Sequence, residues 1–188
     1  MQEIIGILGG LVVLAAHIPL YIAILRKTAT PSFATWSMWS VMAIILLSSQ
    51  IMAGKQDPWG MLAVTVGTIG AAILLIVRGK KKWEMFDTFC LSLVAVAITI
   101  WVIAGPAVAQ IASFSALVIA GIPTIKNVWK DPRNENRLTW GMFALGFGMT
   151  VIAVNDWSNL IIWFQPVGST AFNLMIFALT LRRKPGTK

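Results

Sequence analysis

Residues 3–25 read EIIGILGGLVVLAAHIPLYIAIL, an almost unbroken apolar run in which Glu3, His17 and Tyr21 are the polar side chains. A bilayer core of about 30 Å needs about 20 apolar residues in a helix, so this run is long enough to cross a membrane. The whole chain has the same character: 57% of its residues are hydrophobic, 12% are charged, and its mean hydropathy is +0.80. A soluble domain needs far more charge to cover its surface, so composition indicates a membrane protein.

Six more runs of similar length follow the first one. Proline, glycine and charged residues separate the runs, as at Pro31, Pro58 and Gly105-Pro106. We therefore predict an all-α membrane protein with seven transmembrane helices. The six later helices are predicted at residues 33–54, 58–78, 86–105, 107–128, 137–157 and 159–181.

The basic residues are distributed very unevenly between the two sets of loops. The loops on the side of the N-terminus contain a single basic residue, Lys55. Cytoplasmic loops are enriched in Lys and Arg, so we predict an external N-terminus and a cytoplasmic C-terminus in a bacterial-type plasma membrane. The net charge of +8 then reflects membrane topology and not nucleic-acid binding. The loops of the predicted cytoplasmic side hold Arg26, Lys27, Arg78, Lys80, Lys81, Lys82, Lys126, Lys130, Arg133, Arg137, Arg182, Arg183, Lys184 and Lys188.

The chain also repeats itself with a shift of 104 residues. We predict two parallel three-helix bundles, residues 1–79 and 106–188, joined by a linker helix within residues 80–105. Parallel repeats occur in transporters, whose sites lie at the repeat interface near the bilayer midplane. The matching pairs are Ile18-Pro19 with Ile122-Pro123, Thr35-Trp36 with Thr139-Trp140, Met38 with Met142, Trp59 with Trp163, and Arg78 with Arg182.

A proline late in helix one, a short basic turn and a Thr-Trp near the start of helix two, all repeated, resemble the SWEET and PQ-loop transporter superfamily. The resemblance covers nearly the whole chain and assigns no branch, because the PQ dipeptide reads Pro19-Leu20 and Pro123-Thr124 here. It implies a transporter that moves a small polar solute, sugar or sugar-like, by alternating access. Two alternatives stay open: a vitamin or nucleoside-precursor carrier, which the Trp36-x-x-Trp39 pair also suggests, and a non-transporting seven-helix receptor.

Three polar side chains fall at one predicted depth in three different helices. His17 and Asn173 lie about nine residues from the cytoplasmic cations, and Thr68 about ten, which places each roughly 13–15 Å deep at 1.5 Å per residue. Polar groups inside a bilayer are costly and are therefore functional candidates. We predict a substrate-binding layer there. The competing interpretation is that His17 packs in the core and Thr68 bonds its own backbone.

The resemblance adds Trp157 to this predicted layer. SWEET-type members place an asparagine in the third helix of a unit and a tryptophan near the outer end of the second, and Trp157 and Asn173 fit that pattern in the second unit. The first unit departs from it, with Ala53 and Ile69 at the corresponding positions. Half of a sugar-type pocket is therefore missing, and His17 fills part of the gap.

The repeated prolines and tryptophans are candidates for moving parts. Pro19 and Pro123 each remove a backbone hydrogen bond from a helix and are predicted hinges, with static kinks as the alternative. Trp36 and Trp140 lie about one turn inside the cytoplasmic boundary and are a candidate gate, with an interfacial aromatic belt as the alternative. Asp156, and also His17, are candidates for binding a proton or cation, although Asp156 also fits a solvated outer loop.

The sequence does not support an enzyme. With one histidine and one cysteine, it contains no His/Cys/Asp cluster at metal-ligand spacing, and we expect neither a metal nor a cofactor. The expected partners are a small-molecule substrate and the lipid bilayer, and the sequence leaves a homo-oligomer open.

Overall fold

The computed structural model describes residues 1–28, 31, 33–52, 54, 58–78 and 85–182. In this part of the chain all regular structure is helical. Several basic residues of the predicted charge bias lie outside the described residues, namely Lys55, Lys80, Lys81, Lys82, Arg183, Lys184 and Lys188.

Three helices form the first half of the chain: α1 (Gln2–Leu25), α2 (Phe33–Met52) and α3 (Trp59–Val77). Each has nearly the bounds that the apolar runs predict. α1 ends where the apolar run meets Arg26 and Lys27, and Lys27 takes a positive φ of 58° that terminates the helix. α3 begins directly after Pro58, which cannot donate a backbone hydrogen bond and suits a helix start.

The second half contains α4 (Met85–Ala120), α5 (Ile122–Lys130), α6 (Arg137–Ile152) and α7 (Leu160–Thr180), with a 3-10 turn at Pro132–Asn134. Gly105 interrupts α4 with φ 79° and ψ 178°, a backbone conformation that side chains with a Cβ rarely adopt. The interruption coincides with the helix boundary predicted at Gly105-Pro106. Beyond it, the second part of α4 runs on into α5, and together they form the apolar helix Ala107–Lys130.

Five helices in the described residues are long and apolar enough to cross a membrane, compared with seven predicted: Gln2–Leu25, Thr35–Met52, Trp59–Val77, Ala107–Lys130 and Leu160–Thr180. Val94–Gly105 and Arg137–Ile152 are apolar but shorter.

The predicted end of helix six at residue 157 is wrong, because α6 stops at Ile152. After Ile152, side chains form hydrogen bonds with nearby backbone groups, and these bonds replace the backbone hydrogen bonds of a helix. The Asp156 carboxylate accepts hydrogen bonds from the backbone N–H and the hydroxyl of Ser158, and Asn159 caps α7 by accepting from Ile161 N–H.

The surface of α1 is apolar where a soluble protein would be polar. Its exposed side chains recur every three or four residues and form one stripe along the helix. Polar side chains such as His17, Gln50 and Gln110 are instead fully buried. This distribution fits a protein whose surroundings are lipid. The stripe consists of Ile4, Leu8, Leu11, Leu14, Ile18, Ile22 and Leu25.

Six helical segments pack in a closed ring. α1 packs against α3 and α6, α2 packs against α3 and α4, and α7 packs against α6, α4 and α5. Contacts at Phe114 and Leu117 show that the ring uses the second part of α4. The described side chains of its first part are mostly exposed, with Met85, Val102 and Ile103 at least 77% exposed, so this part lies at the periphery.

Candidate functional site

A cavity of about 50 Å³ lies inside the ring of helices. Its polar side chains are His17 from α1, Thr68 from α3, and Gln165, Ser169 and Asn173 from α7. The rest of its wall is mainly aromatic, from Trp36, Trp39, Trp140, Phe143, Phe147 and Phe172.

His17 reaches the cavity because Gly67 leaves room for its ring. A Cβ at Gly67 would collide with the imidazole, so the ring lies directly on the α3 backbone. The Nδ1 atom is 2.9 Å from the carbonyl oxygen of Val13, which accepts the hydrogen bond when Nδ1 carries the proton. Nε2 is then a free acceptor, and it is buried without a partner among the described residues. A solute with an N–H or O–H donor would satisfy it.

Asn173 and Thr68 bond mainly to their own helices. The Asn173 side-chain amide donates to the carbonyl oxygen of Ser169 at 2.7 Å, and the Thr68 hydroxyl donates to that of Val64 at 2.8 Å. These bonds fix the orientation of both side chains. The Asn173 carbonyl oxygen has no hydrogen bond to another described side chain, so it can accept one from a solute.

Three tryptophans form one end of the cavity, which we call the indole floor: Trp36, Trp39 and Trp140. The ring centroids of Trp36 and Trp39 are 5.0 Å apart, and those of Trp39 and Trp140 are 6.2 Å apart, both edge to face. All three are nearly fully buried. Trp39 Nε1 donates to the Leu117 carbonyl oxygen at 2.9 Å, and Trp140 Nε1 donates to the Glu135 carboxylate at 3.1 Å. The floor lies in the first two turns of α2 and the first turn of α6, at the end of the bundle predicted to be cytoplasmic.

The opposite end of the cavity faces a larger vestibule of about 340 Å³. Met61 and Gln165 line both spaces and therefore separate them. Gln50 on α2 donates from its side-chain amide to the side-chain oxygen Oε1 of Gln165 at 3.3 Å, and the Gln165 side-chain amide donates to the Ser169 hydroxyl at 2.8 Å. We call the pair Gln50 and Gln165 the glutamine bridge. It joins α2 to α7 at the boundary between cavity and vestibule.

The structure brings five of the predicted residues together around one cavity: His17, Thr68, Asn173, Trp36 and Trp140. It does not bring Trp157 there. The Trp157 side chain is 56% exposed and stacks on Trp163 with ring centroids 6.3 Å apart, so the predicted pair of Trp157 and Asn173 does not form.

The remaining predicted residues lie away from the cavity. Asp156 lines the vestibule, and its hydrogen bonds from Ser158 hold the pKa of its carboxyl below the usual value. Pro19 lies inside α1, whereas Pro123 lies in the first turn of α5. Among the described residues, no three His, Cys, Asp or Glu side chains are grouped as metal ligands would be.

Glu135 is a residue that the sequence did not single out. It follows the 3-10 turn before α6 and is 7% exposed. Burial raises the pKa of its carboxyl to about 7, although the hydrogen bonds from Trp140 and Asn127 oppose this shift. In the sequence Glu135 stands in a polar loop, Asp131-Pro132-Arg133-Asn134-Glu135, and only its burial and its hydrogen bond from Trp140 distinguish it from a solvated acid.

Comparison with known proteins adds no relative. No protein-family model, curated protein or solved structure matches the chain.

Proposed function

We propose that the chain is a membrane transporter that moves a small polar solute by alternating access between two three-helix bundles. The observation that carries the proposal is the pairing of residues around the cavity. Four pairs of lining residues are each separated by 104 residues, the shift of the sequence repeat. These pairs are Trp36 with Trp140, Trp39 with Phe143, Met61 with Gln165, and Thr68 with Phe172.

The order of helices supports two equivalent bundles. Around the ring, α3 lies between α1 and α2, and α7 lies between α6 and the helix formed by α4 and α5. The third helix of each proposed unit is thus the middle one. The first part of α4 lies outside the ring, as a connector would. A seven-span arrangement also needs α6 to cross the membrane. Its 16 residues extend for about 24 Å, and the membrane can thin locally to match.

The two ends of the cavity suit alternating access. The indole floor lies at one end of the cavity and the glutamine bridge at the other, so each side has its own set of side chains that could act as a gate. The cavity holds roughly four water molecules, less than a monosaccharide requires. We therefore propose that the cavity must widen to take up a solute, and that its two ends open in turn. With the N-terminus outside, the floor is the cytoplasmic gate.

The residues that line the cavity indicate which class of solute it would bind. The resemblance suggests a sugar, whose many hydroxyl groups would each need a partner. The wall offers six aromatic rings and few polar groups, and a flat ring solute would stack on it favourably. This observation favours the second candidate, a vitamin or nucleoside-precursor carrier. A non-transporting receptor would share the wall but would not need two ends that open in turn.

Counterflow in proteoliposomes tests the proposal. Vesicles preloaded with an unlabelled solute should accumulate the same solute in labelled form, and protein-free vesicles should not. The panel should pair sugars with flat heteroaromatic amides and nucleosides, after a thermal-shift screen has selected binders. A compound that stabilises the protein but gives no counterflow would indicate a receptor.

The two prolines allow a prediction about opening rates. Pro19 lies inside α1, and Pro123 lies just after Gly121, where the second part of α4 runs on into α5, so each proline removes a backbone hydrogen bond from within a long apolar helix. We expect Pro19→Ala and Pro123→Ala each to slow counterflow, and to change solute affinity less than rate. Initial counterflow rates and thermal-shift affinities of both variants provide the comparison. Equal rates in the two variants and wild type would count against a hinge at Pro19.

A further inference from the structure

Glu135 is anchored in a small polar network at the cytoplasmic end of the bundle. The Asn134 side-chain amide donates to both the backbone carbonyl and the side-chain oxygen of Asn127, at 3.1 Å each. Asn127 bonds in turn to the Glu135 carboxylate, and Trp140 Nε1 donates to the same carboxylate at 3.1 Å. The network therefore connects α5, the 3-10 turn and the first turn of α6.

No cation neutralises this carboxylate among the described residues. Arg133 pairs with Asp131 at 3.1 Å, Arg137 donates to the Thr180 carbonyl oxygen, and Arg182 lies over the Trp129 ring. The other basic residues of the neighbouring elements are exposed. They are Lys126 and Lys130 on α5, and Arg26 and Lys27 at the end of α1, which packs on α6.

Trp140 depends on this carboxylate for its polar contact. Its indole is 2% exposed and lies edge to face against Trp39 and Phe143. Its Nε1–H donates to Glu135, and an indole N–H buried without an acceptor would be costly. A change that weakens the hydrogen bond to Glu135 therefore destabilises the position of the Trp140 side chain in the indole floor.

We propose that Glu135 is a proton-binding site that controls the indole floor: the ionised carboxylate holds Trp140 in place, and a proton taken from the cytoplasm releases it. A hydrogen bond to a carboxylate is about twice as strong as one to a neutral acceptor, which gives the direction of the effect. Burial raises the pKa of the carboxyl to about 7, so the site changes charge within the cytoplasmic range. Opening toward the cytoplasm is then favoured below pH 7 and disfavoured above it. The gating role depends on the proposed function, whereas the titration of Glu135 does not.

The titration can be measured without transport. Difference infrared spectra of the full chain between pH 5.5 and 8.5 should contain a protonated-carboxyl band that disappears with a midpoint near 7. Subtracting the spectra of Glu135→Gln removes the contribution of every other acid. A midpoint near that of a solvated glutamate, about 4.3, would overturn the proposal.

The link to the floor can be measured with a thiol placed in the cavity. Ser169→Cys, in a chain with Cys90→Ser, lines the cavity, and Lys126→Cys is an exposed control on the cytoplasmic side. A membrane-impermeant methanethiosulfonate is added to the cytoplasmic face. The labelling rate at residue 169 is divided by the labelling rate at residue 126. This ratio corrects for the change in thiol ionisation with pH. We expect this ratio to be about five- to tenfold higher at pH 6 than at pH 8.

Two variants test whether the pH dependence comes from the hydrogen bond between Trp140 and Glu135 or from a general effect of pH. Glu135→Gln keeps a neutral acceptor and should give the high ratio at both pH values. Trp140→Phe removes the hydrogen-bond donor and should also abolish the pH dependence of the labelling ratio. The Glu135 carboxyl of this variant should still titrate in the infrared spectrum. A pH-dependent ratio that persists in either variant would contradict the proposal. If the titration and labelling appear as expected and counterflow fails for every solute, the transport function is wrong and the proton site stands.

Discussion

Replacing Gly146 with alanine is expected to destabilise the protein by about 1–3 kcal/mol, because it forces α1 and α6 apart. A Cβ at Gly146 would lie 2.7 Å from Val13 Cγ2 and 2.9 Å from both the Gly9 carbonyl oxygen and the Val13 nitrogen. Two of these three atoms belong to the backbone and cannot rotate away. Small residues at such crossings allow membrane helices to pack closely.

The matched control is Gly148→Ala on the same helix. A Cβ at Gly148 would meet nothing within 4 Å, so the substitution should be neutral or stabilise the helix by up to about 1 kcal/mol. In detergent, the melting temperature should therefore fall for Gly146→Ala and should rise or stay unchanged for Gly148→Ala. Equal melting temperatures for the two variants would show that α1 and α6 do not pack as described.

Removing the polar atoms of His17 or Asn173 is expected to weaken solute binding by about ten- to a hundredfold, because each would leave a donor or acceptor of the solute unpaired. Leucine is the suitable replacement for both, since it fills a similar volume and carries no polar atom. Affinities should be measured by thermal shift with whichever solute supports counterflow. Trp36 and Trp140 remain in place, so the aromatic wall is retained.

Thr65→Ala provides the control for these variants. Thr65 is buried on α3, and its hydroxyl donates to the Met61 carbonyl oxygen at 2.8 Å, but it does not line the cavity. Its loss should leave solute affinity nearly unchanged. If Thr65→Ala weakens binding as much as His17→Leu, the affinity changes reflect bundle stability and not contact with the solute.

The sequence predicts the helical segments and the depth of the cavity residues because both follow from simple spacings. Hydropathy gives α1, α2 and α3 nearly to their ends, and the rise per residue places His17, Thr68 and Asn173 at one level. The repeat also pairs Met61 with Gln165, although only the structure shows that both separate the cavity from the vestibule.

Contacts between helices could not be predicted in the same way. The bond between Gln50 and Gln165 joins α2 to α7, and the repeat gives no signal for it, because the position matching Gln50 is Val154. The burial of the Glu135 carboxylate could not be predicted, because a loop sequence does not reveal burial. Trp157 was misplaced because α6 ends at Ile152, where local side-chain hydrogen bonds replace the helix.

The sidedness of thiol labelling at residue 169 tests alternating access to the cavity most directly, since it needs no knowledge of the solute. In a Cys90→Ser chain, Ser169→Cys should react with an impermeant reagent from the external face and, in inverted vesicles, from the cytoplasmic face. Asn155→Cys in the vestibule should react only from outside, and Lys126→Cys only from inside. Labelling of residue 169 from a single face, or from neither, would contradict a cavity that opens alternately to the two sides.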